Sequence, residues 1–168
     1  MTIIVFSDSH GSDFEMAAII RREKRRADCF LHLGDGAVSF LELCDECGVL
    51  GYAVKGNCDF FLKGRDIPPS RVLTFEGISL LLCHGDAYGV GWSTDRLALA
   101  AKERGCRIAL YGHTHIADNR YLPPNDDTDS PLYVLNPGSI ARPRDGKAPS
   151  YARIDTDGKN ILLNIVRL

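Results

Sequence analysis

Long apolar runs are missing from this chain. No stretch of its 168 residues approaches the length that spans a bilayer. The first apolar run, Ile3 to Phe6, is too short for a signal peptide and passes at once into Ser7-Asp8-Ser9-His10. Strong charge of one sign is missing too. The net charge is −2, so no global field recruits nucleic acid or a membrane surface. Without a secretory signal, Cys29, Cys44, Cys47, Cys58, Cys83 and Cys106 are not expected to form a disulfide framework. Internal repeats and low-complexity tracts are absent. The acidic, proline-bounded stretch from Pro123 to Pro131 has no EF-hand spacing, so it reads as an exposed loop rather than a calcium site. These absences leave a globular protein, expected in the cytoplasm.

The composition, 45% hydrophobic and 25% charged, suits a packed core. The length fits one domain, residues 1–168. Thr2 to Phe6 reads as a buried strand. Ser12-Asp13-Phe14-Glu15 has the spacing of a capping box and predicts a helix whose face carries Phe14, Ala17, Ala18 and Arg21, widened by Met16, Ile19 and Ile20. Its end, Arg21 to Arg26, is basic, as a helix C-terminus favours. Cys29 to Leu33 is the second strand. Val38 to Cys47 is a second helix stopped by Gly48, with Cys44 and Cys47 as thiols on its face rather than a zinc or redox pair. Val49 to Val54 is the third strand, and this β-α-β-α-β order predicts parallel pairing. Arg71 to Phe75 and Ile78 to Cys83 form a hairpin around Glu76-Gly77. A glycine-rich loop, Asp86 to Trp92, and a helix from Asp95 to Arg104 precede the strand Arg107 to Tyr111. Further strands are expected at Asn119 to Leu122, Leu132 to Leu135, Ser150 to Asp155 and Asn160 to Arg167.

Five apolar runs end in polar residues of metal-ligand type beside a glycine. They end in Ser7-Asp8-Ser9-His10-Gly11, Gly34-Asp35, Gly56-Asn57, His84-Gly85 and Gly112-His113-Thr114-His115. Glycine there permits a tight turn off the strand. The carboxyl ends of parallel strands are where open α/β sheets build their sites. Asp8, His10, Asp35, Asn57, His84, His113 and His115 supply seven candidate ligands, more than one ion takes and suited to two ions sharing a bridge. His32, mid-strand between Leu31 and Leu33, reads as a packed histidine that supports the site without ligating.

In this order, Asp8-x-His10, Gly34-Asp35, Gly56-Asn57-x-Asp59, His84-Gly85 and Gly112-His113-Thr114-His115 resemble the calcineurin-like metallophosphoesterase superfamily. The short length and Asn136-Pro137-Gly138-Ser139 resemble its small bacterial phosphodiesterase branch. The resemblance implies an α/β fold of two packed mixed β-sheets flanked by helices, a four-layer sandwich. It implies two divalent ions, typically manganese, with iron, zinc, nickel or cobalt able to substitute. One ion would take Asp8, His10, Asp35 and His115; the other would take Asp35, Asn57, His84 and His113, with Asp35 bridging.

The implied reaction is phosphodiester hydrolysis by in-line attack of a hydroxide shared between the ions, with Asp35, Asn57, His84, Cys58 and Asp59 as candidate catalytic residues. The alternatives are a phosphomonoesterase, a nuclease or a non-catalytic protein-interaction scaffold, since the superfamily includes a retromer subunit. The implied partner is a small phosphoester, with nucleic acid only as a candidate substrate, and the sequence does not set an oligomeric state. Cys58 stands where many members carry histidine as the proton donor to the leaving group, and a thiol is a poorer donor at neutral pH. Asn136 to Ser139 is expected behind the site. Arg142 and Arg144 read as solvated, and Tyr88 and Trp92 as rings able to stack on a base or aryl group.

Overall fold

A computed structural model describes residues 1–124 and 130–168. Residues 125–129, in the middle of the acidic loop, lie outside the described residues, and the reading of that loop's aspartates lies there with them. In chain order the elements are β1 (Thr2–Phe6), α1 (Asp13–Glu23), β2 (Cys29–His32), α2 (Ala37–Cys47), β3 (Gly51–Ala53), β4 (Ser70–Phe75), β5 (Ile78–Cys83), a 3-10 turn (Asp86–Tyr88), α3 (Asp95–Glu103), β6 (Ile108–Leu110), β7 (Asp118–Leu122), β8 (Leu132–Asn136), β9 (Ser150–Thr156) and β10 (Ile161–Arg167).

The strands form two mixed sheets, ordered β10-β9-β1-β2-β3 and β4-β5-β6-β8-β7. In the first, β1, β2 and β3 are parallel and β9 pairs antiparallel to β1. In the second, β5, β6 and β8 are parallel, with β4 and β7 antiparallel at the edges. The alternation of side chains along a strand sorts the core into layers. Ile3, Val5, Cys29 and Leu31 meet Leu80, Leu82, Ile108 and Leu110 between the sheets. Ile4, Phe6 and Phe30 face outward and pack with Met16, Ile20 and Phe40 of α1 and α2. Leu81, Cys83 and Ala109 pack with Leu97 and Ala101 of α3. The result is the helix–sheet–sheet–helix sandwich implied by the resemblance. Among the described residues, no helix is long and apolar enough to cross a membrane.

The hairpin turn follows its sequence. Glu76 and Gly77 both have positive φ, 50° and 80°, the geometry that matches the twist of a two-residue hairpin. Helix α1 corrects the sequence reading in two ways. Its buried residues are Met16, Ala17, Ile19, Ile20 and Glu23, while Phe14 is 81% exposed. The buried stripe is therefore set by the positions that reach the sheet, and Phe14, in the first turn, overhangs it. The capping box does not close either. Ser12 makes no side-chain cap bond to the helix amides, and its hydroxyl donates instead to Glu15 Oε2 at 3.2 Å. The Asp86 to Trp92 loop is a chain of turns with Val90 buried beneath it. Gly89 N donates to Asp86 O and Trp92 N to Gly89 O, both at 3.0 Å.

Candidate metal centre

The parallel strands of both sheets deliver their carboxyl ends to one edge, and all seven candidate ligands gather there. Asp35 Oδ2 lies 3.8 Å from His10 Nε2 and 3.5 Å from His84 Nε2. On one side of it, His115 Nε2 lies 3.3 Å from Asp8 Oδ1 and 3.2 Å from His10 Nε2. On the other, Asn57 Oδ1 lies 3.0 Å from both His84 Nε2 and His113 Nδ1. Asp35 thus stands between two groups of ligand atoms. Atoms bound to one cation at about 2.0–2.2 Å are roughly 3.0–3.6 Å apart, close to these separations.

The hydrogen-bond partners favour a cation over a network of protons. His84 Nδ1 is 2.7 Å from the Leu33 carbonyl and His115 Nδ1 is 2.7 Å from the Arg142 carbonyl. A carbonyl only accepts, so each ring carries a proton on Nδ1 and a neutral ring presents a bare lone pair at Nε2. Those lone pairs point at groups that only accept, the Asn57 amide oxygen and the Asp35 and Asp8 carboxylates. Asp8 Oδ1 is buried and, among the described residues, has no hydrogen-bond partner. Acceptors turned towards one another in a dry site repel unless positive charge lies between them.

The titration behaviour agrees. Burial pushes the Asp35 carboxyl up, but His84 and the Cys58 amide outweigh it and hold the group below the ordinary carboxylate range. Asp8 behaves likewise, with burial opposed by His115 and Ser7. The neighbouring imidazoles respond in turn. Burial pulls His84 down, yet Asp35 and Asp8 raise it overall, and His115 rises beside Asp8. The cluster is a concentrated sink for positive charge. The donor set, carboxylate, amide oxygen and imidazole, suits manganese, iron, zinc and their neighbours.

The backbone at the ligands is strained. Asp8, His10, Asp35, His113 and His115 have φ of 53°, 45°, 58°, 68° and 60°, a left-handed region that residues other than glycine seldom adopt. The loops are held in it by contacts across the sheets. Ser7 Oγ donates to Asp8 Oδ2 at 2.6 Å, and the His113 amide donates to the same oxygen at 3.1 Å. Ser139 Oγ donates to the Asp8 carbonyl at 2.7 Å. Asn136 Nδ2 donates to the Gly112 carbonyl and to Thr114 Oγ1. The Asn136–Ser139 turn therefore clasps the loops bearing Asp8, His113 and His115 together. Ser7 was not singled out by sequence reasoning, although it adjoins Asp8 in Ser7-Asp8-Ser9-His10.

Asp59 is at the site but faces backbone. Its carboxylate accepts the amides of Asp35, Gly36 and Gly56 at 2.8–2.9 Å and of Ala37 at 3.3 Å. It shapes the loop that presents Asp35. Cys58 is exposed; its amide donates to Asp35 Oδ1 at 2.7 Å and its sulfur accepts from Asn57 Nδ2 at 3.3 Å. Partial burial and then Asp35 push its thiol up to about 11. Cys58 Sγ also falls within one group of potential ligand atoms with His10 and Asp35, which sequence reasoning did not anticipate. Cys44 is buried and Cys47 half-buried, both free thiols on α2. The Arg142 and Arg144 side chains are exposed, as expected.

His32 is packed, not ligating. It is fully buried, stacks on Phe40 with ring centroids 5.3 Å apart, accepts the Gly34 amide at Nδ1 and meets Ser9 Oγ at Nε2. Burial is the main cause that drives its pKa down to about 4. Between pH about 6.5 and about 4, an unfolded chain takes up this proton and the folded chain does not. Stability should therefore fall as pH drops through that window, by an amount on the order of 2–3 kcal/mol. Urea denaturation across this range should show the loss in the native chain and a flatter profile in His32→Gln. Parallel profiles would count against this assignment.

The calcineurin-like phosphoesterase superfamily domain matches residues 1–159. The chain belongs to that superfamily. It is 32% identical over 153 residues to the probable metallophosphoesterase YsnB of Bacillus subtilis, covering 90% of this chain and 82% of that protein. It is 28% identical over 115 residues to the phosphodiesterase YfcE of Escherichia coli, covering 66% of this chain and 55% of that protein. Among solved structures, a predicted phosphoesterase from Streptococcus pneumoniae superposes with a TM-score of 0.81 at 27% identity, over 99% of this chain and 88% of that one. Vps29 from Entamoeba histolytica, complexed with zinc, shares the fold with a TM-score of 0.71 at 19% identity, over 99% of both chains.

Proposed function

We propose that this protein is a dinuclear metal-dependent phosphodiesterase, a single catalytic domain over residues 1–168. The observation that carries this reading is the placement of Asp35 Oδ2 between His10 and His84, with the buried Asp8 Oδ1 partnerless on one side among the described residues. Asp8, His10, Asp35 and His115 would hold one cation and Asp35, Asn57, His84 and His113 the other, with manganese the first choice. When bound, such a pair neutralises phosphoryl charge and lowers the pKa of water at the site.

The chain's own part is positional. The Leu33 and Arg142 carbonyls keep the protons of His84 and His115 on Nδ1, away from the site. Cys58 N–H and the Asp59 cradle hold Asp35 in its left-handed turn. His113, half-buried at the rim beside the exposed Asn57, meets the incoming ester. The name of YfcE supports the diester over the monoester. The full complement of ligands supports an enzyme over a scaffold.

Among the described residues near the rim, no histidine stands where Cys58 does, so the leaving oxygen departs with little help from a proton donor. General acids contribute about 10²–10⁴-fold. With manganese, an aryl diester should therefore turn over at least about a hundredfold faster than a matched alkyl diester. Cys58→His should narrow the gap. Equal rates on the matched pair would remove this assignment for Cys58. Turnover of monoesters alone would replace the diesterase reading.

A further inference from the structure

A groove of about 320 Å³ opens beside Asn57, between Phe60, Pro69 and Tyr88, with Lys55 and Asp86 on its wall. We infer that it seats a planar aromatic group carried by the phosphoester substrate, with the ring held between Phe60 and Tyr88. The inference rests on the phosphoesterase reading above and specifies its substrate.

Position comes first. Asn57 lines the groove and its Oδ1 is 3.0 Å from both His84 and His113. A group in the groove is therefore next to the cluster, where the ester substituent must lie. A larger cavity, about 530 Å³, is lined by Met1, Thr2 and Ile161. Those residues sit at the amino end of β1, on the edge opposite the ligands, so it cannot serve this purpose.

The lining comes next. Phe60 is 85% exposed, three positions after Asn57. It gains nothing from the core, and an apolar ring left in water beside a reaction centre is suited to stacking. Tyr88 is half-buried, packs against the α3 layer and lines the groove. The volume is at the low end of the range of about 300–1,000 Å³ for small-molecule sites. It takes one ring system and not a polynucleotide track, which favours a small diester. Lys55 offers a donor and Asp86 an acceptor, a pair that a nucleobase can use and a plain phenyl ring cannot.

The test is calorimetric binding to the manganese-loaded protein, with four probes in two pairs. Phenylphosphonate is set against methylphosphonate, and adenosine 5′-monophosphate against ribose 5-phosphate. Stacking predicts about a tenfold gain for the ring-bearing member of a pair. The gain should shrink towards unity in Phe60→Ala and in Tyr88→Leu, the latter chosen to keep the α3 layer filled.

A gain for both pairs, larger for the nucleotide, assigns a nucleobase. A gain for phenylphosphonate alone assigns a simple aryl ester. No gain in either pair, or a gain that survives both substitutions, overturns the inference. Turnover of an aryl diester is measured on the same preparations. Its absence in the native chain sinks the phosphodiesterase reading itself. Turnover without ring preference sinks only the groove.

Discussion

His84→Ala is expected to abolish manganese-dependent turnover of an aryl phosphodiester, by about a thousandfold or more. The imidazole is buried at the seam of the two sheets, with Nδ1 on the Leu33 carbonyl and Nε2 facing Asn57 and Asp35. Its loss removes one ligand outright and leaves the Leu33 carbonyl and Asp35 with one partner fewer. Activity alone would not separate a metal site from a general structural injury, so a second readout is needed. A ligand that binds only the folded chain, at a hundred times its Kd, adds about 2.7 kcal/mol of stability. For a chain of this size that raises Tm by roughly 5–10 °C. The native chain should show such a rise with manganese, and His84→Ala should lose most of it. If the variant keeps both the rise and the turnover, the cluster is not the centre. If the native chain shows the rise but hydrolyses no ester with any of the plausible metals, the scaffold reading gains.

The strand ends were legible because two patterns coincide there. Apolar runs such as Leu80 to Cys83 announce a strand, and a glycine beside a histidine or carboxylate announces its exit. The parallel order of β1, β2 and β3 followed from the helices between them. Less legible was anything set by contacts between segments distant in sequence. Periodicity gave α1 an apolar stripe, yet the choice between Phe14 and Met16 as its inner edge depends on where the sheet stops. Asp59 carried a motif position, but only the fold shows its carboxylate collecting amides from two loops. The left-handed φ at Asp8, His10, Asp35, His113 and His115 leaves no mark on a sequence, because side chains rather than glycine occupy those turns. The groove between Phe60 and Tyr88 joins residues 28 positions apart, with no pattern to connect them.

Gly112→Ala should be nearly as damaging as His84→Ala, for a reason that is wholly steric. Gly112 does not have a positive φ, so alanine suits its backbone. A methyl group there would collide with the Ser7 hydroxyl and come within 2.9 Å of Asp8 Oδ2. Ser7 cannot swing aside without giving up its hydrogen bond to Asp8. Asp8 cannot move without leaving the His113 amide and the ligand cluster. The Gly112 carbonyl also accepts from Asn136, tying the loop after β6 to the end of β8 in the same sheet. Overpacking of this kind costs about 1–3 kcal/mol, so the variant should remain folded but less stable. Its larger effect should be on metal: the loops bearing Asp8, His113 and His115 are pried apart, and manganese affinity should fall by about 10–100-fold or more. Gly112→Ala paired with Ser7→Gly tests this directly, because removing the hydroxymethyl makes room for the methyl. Affinity should recover in part, limited by the lost Ser7–Asp8 bond. A single variant that binds manganese as tightly as the native chain would show that the close approach of the two sheets at Gly112 does not govern the centre.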